Sequence, residues 1–293
     1  MTGLRGGYNG RRGNDSMPRQ IAVLATFVVV AALAHAQGCT RDGLKAVIAE
    51  YFKAVETHDV YLLPVAADLR ITENGQAMKA GDGLFRSGGK TRFERSFIDT
   101  ERCGTVTEAV IEETAGGAPT LSVMAVRLKV DRGKVSEIET ILTREAEAKN
   151  LFNLYSPEGL LATNDQDWTT PLPAGKRLTR EYMNDGAGKY FDAFSKNPPA
   201  IPPFAKPCNR WEGGKHTTPD GDCMPKDLVL THTHRRFPVT DVELGITAGF
   251  INFAQALPDV HIFKYNAEGK IEFIQAVFGG RQSGVIWPDE KAR

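Results

Sequence analysis

Two kinds of hydrophobic pattern alternate along the chain, and the alternation occurs twice. The first kind repeats every three or four positions, which predicts an amphipathic helix with one apolar face. In the first half its members are Leu44, Val47, Ile48, Tyr51, Phe52 and Val55. In the second half, after Thr179, they are Met183, Ala187, Tyr190, Phe191 and Phe194. Each half therefore begins with one long helix.

After each helix the period changes to two, which is typical of half-buried strands. The predicted strands are Leu69–Ile71, Val106–Ile111, Leu121–Val130, Lys134–Leu142, Leu228–His234, Ile246–Phe253, Val260–Tyr265 and Ile271–Phe278. Turns at Asp131–Gly133 and Asn266–Gly269 join neighbouring strands as hairpins. A helix covering one face of an antiparallel sheet is an α+β layer, and we expect one in each half.

The two halves also share residues in register. Seven positions recur at an offset of 139: Thr40, Arg41, Tyr51, Phe52, Ala54, Glu73 and Gly75. A period of this length predicts two tandem domains, because solenoid units are only about 20–50 residues long. We place the first domain at 37–149 and the second at 177–293, with a linker at 150–176 whose Trp168 is expected to pack against a domain.

The N-terminal segment, residues 1–36, has the features of a signal peptide. An apolar run from Ile21 to Ala34 follows Arg19, and Ala34-His35-Ala36 matches the pattern of a signal-peptidase site. Either Met1 or Met17 can be the initiator. The run is too short for a transmembrane span, which needs about 20 residues. We therefore expect a periplasmic or secreted protein without stable membrane insertion.

The cysteines agree with export. Cys39, Cys103, Cys208 and Cys223 allow three pairings. The pairing we expect joins the two cysteines within each repeat, Cys39 with Cys103 and Cys208 with Cys223, and four free thiols are the alternative. An oxidising compartment favours disulfides over a zinc site.

The charge balance and the motifs limit the classes of partner and cofactor that fit the sequence. The 36 basic and 36 acidic side chains balance, which argues against a nucleic-acid partner and favours a small, neutral or hydrophobic one. The sequence contains no nucleotide or dinucleotide fingerprint and no catalytic signature motif. His232 and His234 share a predicted strand face but have no local third metal ligand. We therefore expect neither a cofactor nor a metal.

The remaining candidates are side chains that alternation brings to one face. His261 lies in mid-strand and shares its face with Phe263, an environment suited to a general acid or base. A hydrogen-bonded core histidine is the equal alternative. The other candidates are helix tyrosines, strand-end carboxylates and charged residues near the predicted second-domain strands: Tyr51, Tyr190, Glu212, His234, Arg236 and Asp241. Arg236 and Asp241 are expected either to pair at a pocket mouth or to lie at surface strand ends. Asp99 and Asp241 are expected to open strands.

Three motifs together resemble the nuclear-transport-factor-2-like superfamily, which includes polyketide-cyclase-like and ketosteroid-isomerase-like enzymes. They are Tyr-Phe-x-Ala, Glu-Asn-Gly and Gly-Lys-Val/Ile-x-x-Ile, and the segment from Arg235 to Gly245 is similar to an exported two-repeat branch. The resemblance implies two cone-shaped α+β barrel domains with apolar pockets. It also implies an internal pseudo-dimer, with further self-association open.

The resemblance implies a cofactor-independent lyase or isomerase acting on a hydrophobic aromatic molecule. Lyases that remove formaldehyde from lignin-derived dimers are similar in fold. Catalysis is then expected from His261, Tyr190, Arg236 and Asp241, and substrate binding from Tyr51, His234, Glu212 and Phe263. The second domain, with most of the histidines, is the expected catalytic one, and a site shared at the domain interface is the alternative. The alternative is a non-catalytic binding or assembly module.

Overall fold

The structure is a computed structural model that describes residues 39–114, 117–148, 153–226 and 228–280, together with Gly3, Gly6 and Gly7. Apart from these three glycines, the expected signal peptide lies outside the described residues. Among the helices described, none is long and apolar enough to cross a membrane.

The first repeat begins with α1 (Arg41–Glu56). Thr40 caps this helix by accepting the backbone N–H of Gly43 at 3.1 Å. A 3₁₀ turn, a short helix and six strands follow. They are Val60–Leu62, β1 (Val65–Glu73), β2 (Gln76–Met78), α2 (Leu84–Ser87), β3 (Gly88–Asp99), β4 (Gly104–Glu113), β5 (Thr120–Asp131) and β6 (Lys134–Thr143).

The connection between the repeats contains short helical turns. They are α3 (Glu145–Ala148), α4 (Pro157–Leu161), Ala162–Asp165 and Ala174–Lys176. The second repeat has the same order of long helix and six strands, and its described residues include no counterpart of the 3₁₀ turn or of α2. It comprises α5 (Arg180–Asp192), β7 (Phe204–Glu212), β8 (Lys215–His216), β9 (His232–Asp241), β10 (Ile246–Phe253), β11 (Leu257–Tyr265) and β12 (Ile271–Phe278).

Each repeat forms one six-stranded mixed sheet with the same topology. The strand orders are β2-β1-β6-β5-β4-β3 and β8-β7-β12-β11-β10-β9. The β1–β6 and β7–β12 pairs are parallel, and the other pairs are antiparallel. The apolar face of each long helix packs on one face of its sheet. The predicted α+β class with two repeated domains is confirmed.

The strand predictions failed where polar residues interrupt the alternation. β3 carries charges at Lys90, Arg92 and Glu94 and was not predicted. β9 runs from His232 to Asp241, so the predicted strand at Leu228–His234 began too early. Asp99 and Asp241 end β3 and β9 rather than opening strands, because their carboxylates accept backbone N–H groups of the following turns.

Both expected cysteine pairs, one within each repeat, are at disulfide distance. The Cα atoms of Cys39 and Cys103 are 5.0 Å apart, and those of Cys208 and Cys223 are 5.6 Å apart. The first disulfide joins the start of α1 to the β3–β4 turn, and the second joins β7 to the loop after β8. Disulfides are typical of proteins in oxidising compartments.

The two sheets pack against each other through the faces that do not carry the helices. This interdomain core contains side chains from both repeats, including Phe97 and Val123 of the first and Phe250 and Ile262 of the second. Trp168 of the connection lies within it, with no exposed surface, and its ring stacks on Phe273 at 5.6 Å between centroids. The expected packing of Trp168 is confirmed.

Two reciprocal ion pairs join the domains. Arg180 binds the carboxylate of Asp99 through both terminal nitrogens, at 2.7 and 2.9 Å, and Arg41 binds that of Asp241 in the same way, at 3.0 and 2.7 Å. Each carboxylate also accepts a backbone N–H from the opposite domain: Thr240 donates to Asp99, and Ile98 to Asp241, both at 2.9 Å. The residues correspond between repeats, so the contact has pseudo-twofold symmetry.

Substitution of Arg180 by Met is expected to lower the free energy of unfolding by about 3–5 kcal/mol, because it leaves the buried Asp99 without its cation. Lys189→Met removes one partner of a surface ion pair with Asp185 on α5 and is expected to cost at most about 0.5 kcal/mol. Urea unfolding measures both. Equal losses in the two variants would contradict the interdomain role of Arg180.

Glu137 on β6 makes stability depend on acid pH. Burial alone would raise its pKa, but Arg127, Arg70 and Lys129 together lower it from 4.5 to about 2. A lowered pKa in the folded state adds stability above pH 4.5, and this stability is lost as the pH falls toward 2. After allowance for solvent screening of the partly exposed cations, we expect a loss of about 2 kcal/mol. Glu137→Gln should reduce the change in the free energy of unfolding between pH 5 and 2, measured by urea unfolding at each pH. An unchanged pH dependence would refute this assignment.

Candidate functional site

Strand alternation in β11 brings polar and aromatic side chains to the helix-facing side of the second sheet. Val260 and Ile262 point into the interdomain core. The alternate residues Asp259, His261 and Phe263 point the other way, and Phe263 packs in the core beneath α5. The helix places Tyr190 over this strand, with its ring centroid 5.3 Å from those of His261 and Phe263.

Asp259, His261 and Tyr190 form a buried chain of titratable groups. His261 Nε2 lies 3.4 Å from the Tyr190 hydroxyl, and Nδ1 lies 2.7 Å from Oδ1 of Asp259. The second pair is at ion-pair distance but is not aligned for an ordinary hydrogen bond, and neither atom has another such bond among the described residues. Buried polar atoms without aligned partners are uncommon and mark a candidate functional site.

Arg210 of β7 completes the chain on the other side of Tyr190. Its Nη1 donates to the Tyr190 hydroxyl at 3.0 Å, and its Nε lies 3.3 Å from Oε2 of Glu212. Since Arg210 has no lone pair to accept a proton, Tyr190 must be the acceptor of this bond. The tyrosine proton is then directed to His261 Nε2, which leaves Nδ1 to carry the ring proton toward Asp259.

Burial controls the ionisation of this chain. It raises the pKa of Tyr190, although the adjacent Arg210 opposes the shift. It also raises the pKa of Asp259, against the effect of His261. The hydroxyl of Tyr190 is therefore a proton donor at neutral pH, and charge that forms on its oxygen meets the guanidinium of Arg210. The arrangement is suited to proton transfer between two groups held 3.4 Å apart.

An aromatic shell encloses these buried titratable side chains. The rings of Phe191, Phe253 and Phe263 have centroids 5.3 to 6.2 Å from that of His261. His261 is 2% exposed and Tyr190 has no exposed surface. A ligand reaches these groups only if part of the shell moves.

The first domain lacks this chemistry at the corresponding positions. Ile138 of β6 and Ile274 of β12 are equivalent, and the strand registers on either side of them identify the other equivalent residues. By this register Arg210, Asp259 and His261 correspond to Ile71, Met124 and Val126, three side chains of the first domain's apolar core. The tyrosine and the glutamate recur as Tyr51 and Glu73. Within the residues that the structure describes, only the second domain holds the complete set of titratable side chains.

Four of the residues expected at a site lie together. Tyr190 and His261 are in contact, Phe263 forms part of their shell, and Glu212 joins through Arg210.

The other four lie elsewhere. Arg236 contacts Glu139 of the first domain and the ring of Phe250, and Asp241 binds Arg41, so these two do not form the expected pair with each other. Tyr51 is buried in the first core. His234 is exposed. Its positive φ of 56° breaks the alternation of β9, so it does not share a face with His232, whose ring contacts Phe191.

Sequence patterns missed Arg210 as a site residue. Arg210 lies in a strand that was not predicted, two positions before Glu212. Asp259 stands two positions before His261, one residue before the predicted start of the strand at Val260. The strand in fact begins at Leu257, and alternation then places both residues on one face. That Arg210 and His261, on two different strands, both contact Tyr190 could not be predicted from local spacing, because it depends on how the strands are ordered in the sheet.

Within the described ranges, no group of three or more His, Cys, Asp or Glu side chains is placed to hold a metal ion.

A family model described as a domain of unknown function (DUF8021) matches residues 37–142 and 176–278. The matched segments fall one in each repeat and cover more than half of the chain. The chain belongs to this family. Among proteins with curated functions, none matches it significantly.

Solved structures with weak similarity come from bacteria. AclR from Streptomyces galilaeus, suggested to be a hydroxylase, is 15% identical over 43% of this chain and 97% of its own, with a TM-score of 0.29. IdmH from Streptomyces antibioticus, suggested to be a polyketide cyclase, is 18% identical over 34% and 91%, with a TM-score of 0.25. A suggested polyketide cyclase from Silicibacter is 14% identical over 37% and 95%, with a TM-score of 0.29. Similarity at this level says nothing of activity.

The equivalent tyrosines give a matched test of the buried chain. Tyr190→Phe removes the hydrogen bonds that join Arg210 and His261 to the tyrosine oxygen and is expected to lower the free energy of unfolding by about 1–3 kcal/mol. Tyr51→Phe is expected to change it by less than about 0.5 kcal/mol, because the Tyr51 hydroxyl has no hydrogen bond of ordinary geometry, although Thr140 is near enough to affect its pKa. Urea unfolding of both variants measures the difference. Equal effects would contradict the assignment of the polar chain to the second domain.

Proposed function

We propose that the chain is an exported, cofactor-independent lyase that acts by acid/base chemistry on a hydrophobic aromatic molecule. The supporting observation is the Arg210–Tyr190–His261–Asp259 chain, buried in an aromatic shell in one of two otherwise similar domains. Two disulfides fit an oxidising compartment. The substrate class we favour is a lignin-derived aromatic dimer with a terminal hydroxymethyl group, from which formaldehyde is removed.

The reaction we propose needs a base and an acid, and no oxidant. His261 Nε2 takes the proton of the hydroxymethyl oxygen, whose O–H electrons become the carbonyl bond of formaldehyde. The carbon–carbon bond to the released fragment breaks, and its electron pair forms an alkene by expelling the neighbouring hydroxyl group. Tyr190 protonates that group, which leaves as water. The products are formaldehyde, water and a conjugated diaryl alkene.

The geometry supports this assignment of roles. Arg210 lies 3.0 Å from the Tyr190 oxygen and stabilises the negative charge left after proton donation. Since His261 Nε2 is 3.4 Å from the same oxygen, the proton gained by the histidine returns to Tyr190 and restores the resting state. Oδ1 of Asp259 lies 2.7 Å from Nδ1, and its attraction for a protonated His261 opposes the burial that raises the pKa of Asp259. In this mechanism the catalytic arginine is Arg210, whereas the resemblance implied Arg236.

His261→Gln is expected to reduce kcat/KM for formaldehyde release by roughly 10²–10⁴-fold, the usual contribution of a general base. The assay follows formaldehyde and the ultraviolet absorption of the alkene, with the purified mature chain and dimers that carry the hydroxymethyl group. His216→Gln is the matched control, because His216 is exposed and stacks on Trp211 away from the shell. Failure of the unmodified protein to release formaldehyde from any such dimer would reject the reaction, and binding without turnover would favour a binding module.

A further inference from the structure

A cleft of about 580 Å³ opens on the outer side of the second domain, beside β7. Its size lies within the usual range for small-molecule sites. The segment 201–207 provides one wall and the loop 220–224 the other. The cleft forms where β7 separates from β12: Phe204 pairs with Ile271 and Asn209 with Phe273, so the two strands lose register between these points.

The second disulfide fixes the loop wall. Cys208 of β7 is joined to Cys223 of the loop, and its backbone N–H also donates to the carbonyl of Gly221 at 2.9 Å. Both cysteines have no exposed surface. The cleft is therefore held open by covalent and backbone contacts rather than by exposed side chains.

The cleft adjoins the Tyr190–His261 site. Its wall residue Phe204 packs edge-on against Tyr190, with 6.3 Å between ring centroids. Its other wall supplies the carbonyl of Cys223, which accepts from Arg210 Nη1 at 3.4 Å, the same nitrogen that binds the Tyr190 hydroxyl. One layer of side chains thus separates the cleft from the acid/base chain, and displacement of Phe204 opens a route inward.

The lining of the cleft combines apolar surface with one available cation. Ile201 is 79% exposed and contributes apolar surface at its rim. The acidic side chains of the loop are already engaged, because Lys226 Nζ binds Asp220 at 2.8 Å and Asp222 at 3.0 Å. Lys206 is exposed and has no ion-pair or hydrogen-bond partner within the ranges the structure describes.

We infer that this cleft admits an aromatic carboxylate, with its ring against Ile201 and Phe204 and its carboxylate on the ammonium group of Lys206. The inference rests on the proposed function for its meaning as a substrate site. Lys206 and Arg210 are four residues apart in β7, which separates their Cα atoms by at most about 14 Å. A molecule with two linked aromatic rings spans a distance of this order, so an acid held at Lys206 reaches the site with its far end. The substrate would then be an aromatic dimer that carries an acid group.

Isothermal titration calorimetry tests the inference without turnover. The probes are two-ring aromatic acids and the methyl esters of the same acids, titrated into the purified mature chain. The acid is expected to bind more tightly than its ester, and Lys206→Gln is expected to weaken acid binding roughly three- to tenfold while leaving the ester unchanged. Lys206→Arg should retain acid binding. Lys134→Gln, which removes a charge from a hairpin of the first domain, is the control and should change neither.

Several outcomes would overturn the inference: no acid of the panel binds, Lys206→Gln leaves acid binding unchanged, or it weakens the acid and the ester equally. The two proposals fail separately. Binding of acids that depends on Lys206, with no formaldehyde released, would keep the cleft and reject the reaction. Formaldehyde release that is indifferent to Lys206 and to the acid group would keep the reaction and reject the cleft as its carboxylate site.

Discussion

The reciprocal pairing of a buried aspartate in one domain with an arginine in the other organises the whole molecule. Asp99 and Asp241 end equivalent strands, and each binds the guanidinium at the start of the opposite domain's long helix as well as a backbone N–H of the opposite strand. A carboxylate buried to this degree requires such partners, because an unpaired one would cost several kcal/mol. The pairs therefore fix which sheet faces meet.

Once one face of each sheet is used for the interdomain core, chemistry on the sheet is confined to the face beneath the helix. In the second domain that face carries Asp259 and His261, and the helix above supplies Tyr190. In the first domain the same topology holds Met124 and Val126, and the tyrosine there lies among apolar side chains. Duplication thus gave two equivalent frames, one filled as an ordinary core and the other with a chain of titratable groups. This asymmetry is the main support for a catalytic rather than a purely structural second domain.

The parts predicted correctly depend on local periodicity. The helices that carry Tyr51 and Tyr190, the hairpins β5–β6 and β11–β12, and the common face of His261 and Phe263 all follow from spacing alone. The parts missed have weak periodicity or depend on distant residues. β7 contains a proline and an irregular register, so Arg210 was not recognised. Arg236 and Asp241 looked like neighbours at a pocket, but their nearest opposite charges, Glu139 and Arg41, belong to the other domain.

The amino-acid sequence by itself determined the duplication, the α+β class, the long helices and the faces on which the second-domain histidine and tyrosine lie. It did so because hydrophobic period and chain direction are local properties. The tertiary structure alone decided which charges meet, since ion pairs form between residues as much as 200 positions apart. It also decided that Arg210, rather than Arg236, reaches Tyr190. Contacts of this kind depend on how strands are ordered and sheets are stacked, and no local pattern records that arrangement.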